Sequence, residues 1–63
     1  MHTLSLLKKD DNIVEIARNP QNYFLLVNKK QVAQIDCDDK PRIAQCVDYM
    51  RGLRAEGYVE IIQ

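Results

Sequence analysis

Few side chains in this chain could carry chemistry, and their spacing decides what each can do. His2, Thr3 and Ser5 are the only histidine, threonine and serine, and all lie within the first five positions. A nucleophile needs a base within hydrogen-bond reach and a third group to orient that base. No such trio can be assembled here, so catalysis is not expected. The only glycines, Gly52 and Gly57, leave no glycine-rich phosphate loop. Asp36, Asp38 and Asp39 form the one carboxylate cluster, and a hard cation such as Mg²⁺ favours such oxygens. The EF-hand spacing is missing, with no glycine at the bend and no distal glutamate. Acids at this place are expected at a helix start, where the N-terminus carries partial positive charge.

The cysteines also point away from a metal. Cys37 and Cys46 are nine positions apart, whereas zinc sites use CxxC or closely spaced Cys/His pairs. Cys46 falls on an apolar helical stripe and reads as core. Cys37, just ahead of the same helix, is the thiol whose pKa a helix N-terminus would lower. Two cysteines make no disulfide framework, so both are expected as free thiols in a reducing, cytoplasmic setting. No cofactor and no metal are expected.

Charge is balanced, with nine basic and nine acidic residues. Global attraction to nucleic acid or lipid is therefore weak, and any such attraction must come from distribution. The start, MHTLSLLKKDD, places its lysines after a short apolar run, the wrong order for a signal peptide. No run approaches the 18 or so apolar residues a membrane span needs, so no membrane contact is expected.

The elements that would position these groups are legible as one domain over 1–63. The stretch DCDDKPRIAQCVDYMRGLRAEG, Asp36 to Gly57, has helix start and stop signals. Asp38 and Asp39 precede it, Pro41 suits the first turn, and Gly57 suits the left-handed stop. Ile43, Cys46, Val47, Met50 and Leu53 recur at three- and four-residue steps on one face. Gly52 inside this helix costs about 1 kcal/mol against Ala. It implies either a close backbone neighbour or a helix that frays after Met50.

Thr3–Leu7, Tyr23–Val27, Gln31–Ile35 and Tyr58–Ile62 read as strands. Asn12–Arg18 is ambiguous. Its β-branched Ile13, Val14 and Ile16 favour a strand, while Asn12 and Glu15 also fit a capping box. The fold class is α+β, a small mostly antiparallel sheet in the order β-β-β-β-α-β with one long helix on one face. The alternative is β-α-β-β-α-β, ferredoxin-like. Asn28 suits a hairpin turn between the middle strands.

Two functional expectations follow from this layout. Tyr23, Leu25 and Val27 point to one side of their strand, and Phe24 and Leu26 to the other. One helix covers one side, so the other presents apolar groups to water, which marks an interaction surface. The partner is a second copy or a larger protein. The second expectation is a basic pole. Lys8 and Lys9, Lys29 and Lys30, and the helix-end residues Arg51 and Arg54 gather at one end of the sheet. That pole supports nucleic-acid binding as the alternative function. In architecture alone the layout resembles many small intracellular domains, antitoxin-like and phage-borne inhibitor proteins among them. The resemblance implies an accessory or inhibitory protein and transfers no residues.

Overall fold

Three tight turns join the first four strands into a meander. The first holds Asp10 at φ 54, between Lys9 and its partner Asn12. In the second, Asn19 Oδ1 accepts from the Gln21 and Asn22 backbone amides at 2.9 and 2.8 Å. In the third, Asn28 and Lys29 both take positive φ, 50 and 71, matching the twist of the flanking strands. The computed structural model describes residues 1–61. Its elements are β1 (His2–Lys9), β2 (Asn12–Arg18), β3 (Asn22–Val27), β4 (Lys30–Asp36), α1 (Lys40–Ala55) and β5 (Val59–Glu60). The five strands form one antiparallel sheet in the order β4-β3-β2-β1-β5.

The fold is thus α+β with the β-β-β-β-α-β order, and residues 12–18 are strand. Three β-branched side chains in seven residues oppose a short helix and fit the pleated surface. The last strand is shorter than Tyr58–Ile62. It pairs Val59 with Lys8 and Glu60 with Leu7, and the Ile61 amide adds a bond to the Leu6 carbonyl. Ile62 lies outside the described residues.

The ends of α1 follow their sequence signals. Asp39 is the N-cap, and its carboxylate accepts from the Arg42 amide at 3.3 Å. At the other end the Gly57 amide bonds to the Arg54 carbonyl and the Tyr58 amide to the Leu53 carbonyl, both at 3.1 Å. That pair of bonds is the Schellman stop, with Gly57 at φ 107. It turns the chain so that Tyr58 packs back toward the core beside Leu53. Lys9 Nζ donates to the Glu56 carbonyl at 2.8 Å, tying the same helix end to β1.

The core sits where this helix end meets the sheet. Leu7, Val14, Met50 and Leu53 form it, and Ile16, Leu25, Val27 and Tyr58 pack around them. Cross-strand register puts Leu7, Val14 and Val27 in one row and Ser5, Ile16, Leu25 and Ala33 in the next. These rows define the covered face. Only Met50 and Leu53 of the helical stripe are buried; Ile43 and Cys46 are half-buried and Val47 is exposed. The stripe therefore buries its own residues fully only in its C-terminal half.

The edge strand β4 and the part of β1 that β5 does not reach each carry an irregularity. In β1 the register shifts between Thr3 and Ser5, leaving Leu4 as an extra residue. In β4 it shifts against Leu25 and Leu26, leaving Val32 extra. Such bulges interrupt the row of backbone donors and acceptors on an edge.

Gly52 is explained by neither expectation: the helix runs through it to Ala55, and a Cβ there would meet nothing within 4 Å. Replacing Gly52 by Ala should stabilise the protein by about 1 kcal/mol through helix propensity. Replacing Gly57 by Ala should destabilise it by about 1–2 kcal/mol, the cost of a left-handed backbone with a Cβ. Urea unfolding of the two variants checks both signs, and equal shifts would contradict this account of the helix end.

Candidate functional site

The face opposite α1 carries Phe24 and Leu26, with Leu6, Ile13, Glu15 and Ala17 as cross-strand or same-strand neighbours. No helix covers it among the described residues. It is nevertheless not the open apolar surface that the alternation implies. Phe24 is only 9% exposed and Leu26 is half-buried. Phe24 stands opposite the small Ala17, and cross-strand neighbours close over both. At the centre lies Glu15, 6% exposed. Its carboxylate accepts from Thr3 Oγ1 and from Lys29 Nζ, each at 3.3 Å. A partner laid over this face would bury an ion pair further, at a desolvation cost that offsets the gain from its apolar rim.

The unfilled apolar surface is on the helix side. Beneath the N-terminal half of α1 runs a groove of about 210 Å³. Ile16, Tyr23 and Ile35 come to it from the sheet, Ile43, Cys46 and Val47 from the helix, and Leu4 and Ser5 from the bulge in β1. Its cause is a mismatch of sizes. The row under the helix includes Ser5, too short to reach the stripe above it, whereas the next row offers Leu7 to Met50 and Leu53. Leu4 and Val47 at the rim are 49% and 46% exposed. Of the strand residues expected to bind a partner, Tyr23 lines this groove, Leu25 and Val27 pack around the core, and Phe24 and Leu26 lie on the far face.

Alternation correctly separates the two sets of side chains but carries no information on which side stays unfilled. Leu4 gave no signal, because in so short a strand a one-residue bulge cannot be told from an ordinary break in alternation. Ile43, Cys46 and Val47 were visible as a stripe, and a stripe reads as core.

The six basic residues are split by their partners. The first and third turns do lie at one end of the sheet, and the end of α1 reaches that same end through Lys9. Lys29 is engaged by Glu15, and Arg51 lies 3.8 Å from Asp48. Arg54 donates to Glu60 at 2.8 Å, and Ser5 Oγ donates to the same carboxylate at 2.9 Å. Those bonds, Ser5 first and Arg54 next, hold the Glu60 carboxyl below the ordinary carboxylate range. Among the described residues, only Lys8 and Lys30 of the six make neither an ion pair nor a side-chain hydrogen bond.

No group of three His, Cys, Asp or Glu among the described residues is placed to hold a metal ion, and no helix is long and apolar enough to cross a membrane. Both thiols are free and half-buried. Small and α+β is the class that fold and groove define. No protein-family profile, no curated protein and no solved structure matches this chain.

Burial against the groove wall raises the pKa of the Cys46 thiol above the ordinary value. The thiolate is the reactive form, so alkylation of Cys46 by iodoacetamide should rise with pH at higher values than for an unstructured cysteine peptide. Mass-spectrometric rates across pH check this. A Cys46 curve that coincides with the peptide's would mean that the thiol does not face hydrocarbon.

Proposed function

We propose that this chain is a small non-enzymatic protein-interaction module, an accessory or inhibitory protein that docks a protein partner in the groove between α1 and the sheet. The observation that carries the reading is the unfilled hydrocarbon space beneath Ile43, Cys46 and Val47, rimmed by exposed Leu4 and Val47. A single anchoring side chain buried in such a pocket is the usual source of binding energy at an interface. Strand addition is the less favoured mode, because β4 and the free part of β1 both carry bulges. Nucleic-acid binding is the less favoured alternative. Most of the basic pole is already engaged by carboxylates or by the helix end, which leaves little to release counterions from a phosphate backbone.

An uncharged environment-sensitive dye such as Nile red tests the groove. It should brighten with the folded wild-type chain and stay darker with Val47→Asp, whose circular dichroism should be unchanged because Val47 is exposed. A folded wild-type chain that leaves the dye dark has a sealed groove, and the reading fails. Light scattering over a wide concentration range then sorts the partners. A mass above the 7.3 kDa monomer indicates a second copy, and a steady monomer indicates a different protein.

A further inference from the structure

Beside the groove, stacked on Tyr23 of its lining, stands Arg18, a cation that no ion pair among the described residues neutralises. Arg18 follows Val14 and Ile16 on the covered face of β2 and lies opposite Tyr23 in register. Its guanidinium sits over the Tyr23 ring, 4.8 Å from the centroid, and Tyr23 is part of the groove lining. Nη1 donates to the Tyr23 hydroxyl at 3.2 Å. The other contacts are long, 3.5 Å from Nε to the Asn19 carbonyl and 3.7 Å from Nη2 to Cys37 Sγ. A guanidinium has five donors in a fixed fork that matches a carboxylate. Arg18 makes one good bond and no ion pair among the described residues.

Of the acids around Cys37, Asp36 and Asp39 have other tasks, and the Asp38 carboxylate makes no ion pair with Arg18. Asp36 Oδ1 accepts from the Asp38 amide at 2.8 Å, and Asp39 caps the helix. Lys40 and Arg42 follow them, so Asp36, Asp38, Asp39, Lys40, Arg42 and Arg18 together carry no net charge. Selection then rests on the fork itself. Stacking on Tyr23 holds that fork in place before anything binds, which reduces the ordering cost of binding.

We infer that the groove takes a segment of another protein that inserts one apolar side chain beneath α1 and sets an adjacent aspartate or glutamate against Arg18. This rests on the interaction reading above and names the chemistry of its partner. A dry cavity of about 150 Å³ holds a benzene ring. The 210 Å³ here therefore suits one leucine- or phenylalanine-sized group. Exposed Leu4 and Val47 extend the apolar surface beyond the cavity mouth, where a protein segment covers them and a small ligand does not. A second copy is disfavoured. Among the described residues, large apolar side chains are exposed beside a carboxylate at Glu60, which Arg54 and Ser5 hold, and at Asp48, which faces Arg51 across 3.8 Å.

Short random peptides displayed on phage and selected on the folded full chain test this. The expected winners carry an apolar residue next to an acid. Made as free peptides, they should lose about ten- to a hundred-fold in affinity when the acid is replaced by its amide. The Arg18→Gln protein should lose the same factor, and combining the two changes should cost little more than either alone. Val47→Asp should abolish binding of every winner. Arg18→Lys, which keeps the charge and loses the fork, should recover only part of the loss and guards against a simple folding defect in Arg18→Gln. Winners without an acid, or winners indifferent to Arg18→Gln, overturn the proposed partner chemistry while the interaction reading stands. A failure to enrich any peptide, together with a dimer that Val47→Asp breaks, also overturns the partner chemistry alone. No enriched peptide, no dimer and a dark Nile red signal would bring down both.

Discussion

The contact of Met50 and Leu53 with Leu7 and Val14 holds this molecule together. Among the described residues it is the one place where helix and sheet bury large apolar groups against one another on both sides. A domain of about this size buries only about 60% of the surface its unfolded chain exposes, so a core of four side chains carries a large share of its stability. The Schellman stop serves that contact directly. By bonding Tyr58 to the Leu53 carbonyl it brings the last described strand alongside β1 and closes the core from the helix end. Lys9 and Arg54 fasten the same corner from outside.

Because the clamp is at one end, the other end of the helix packs less fully on the sheet. The size mismatch at Ser5 then leaves space where a fully buried stripe would have filled it. The groove is thus a by-product of a lopsided core, and its apolar lining is that of an interior. Tyr23 lines it and Arg18 stands beside it, away from the clamp. Stability and the groove are in this way placed on different residues. Changes to Val47 or Arg18 leave the Leu7–Met50 contact intact.

Much of the fold was legible in the residues. Asp39, Pro41 and Gly57 marked the helix, and Asn28 marked the third turn through its tolerance of positive φ. The Asn12–Arg18 ambiguity resolved toward strand through Ile13, Val14 and Ile16, since β-branching outweighs one capping pair over seven residues. The candidate surface was less legible. Alternation sorts Tyr23, Leu25 and Val27 from Phe24 and Leu26, but exposure depends on neighbours such as Ala17 and Glu15 that belong to other strands. The basic residues were read by position, and the engagement of Lys29 by Glu15, Arg54 by Glu60 and Lys9 by the helix end needs the pairing of distant segments. Leu4 and Val32 were unreadable, because one inserted residue in so short a strand cannot be told from an ordinary break in alternation.

Those two inserted residues have a consequence for the chain's fate at high concentration. A thin-cored protein opens locally often, and each opening offers strand rims to identical neighbours. Fibres grow when a long, unbroken backbone tape can template the next molecule in register. Here Val32 breaks the tape on one flank and Leu4 on the other, so successive copies find no extended stretch to propagate from. The same exposed apolar residues thereby interrupt the tape that a fibre would need.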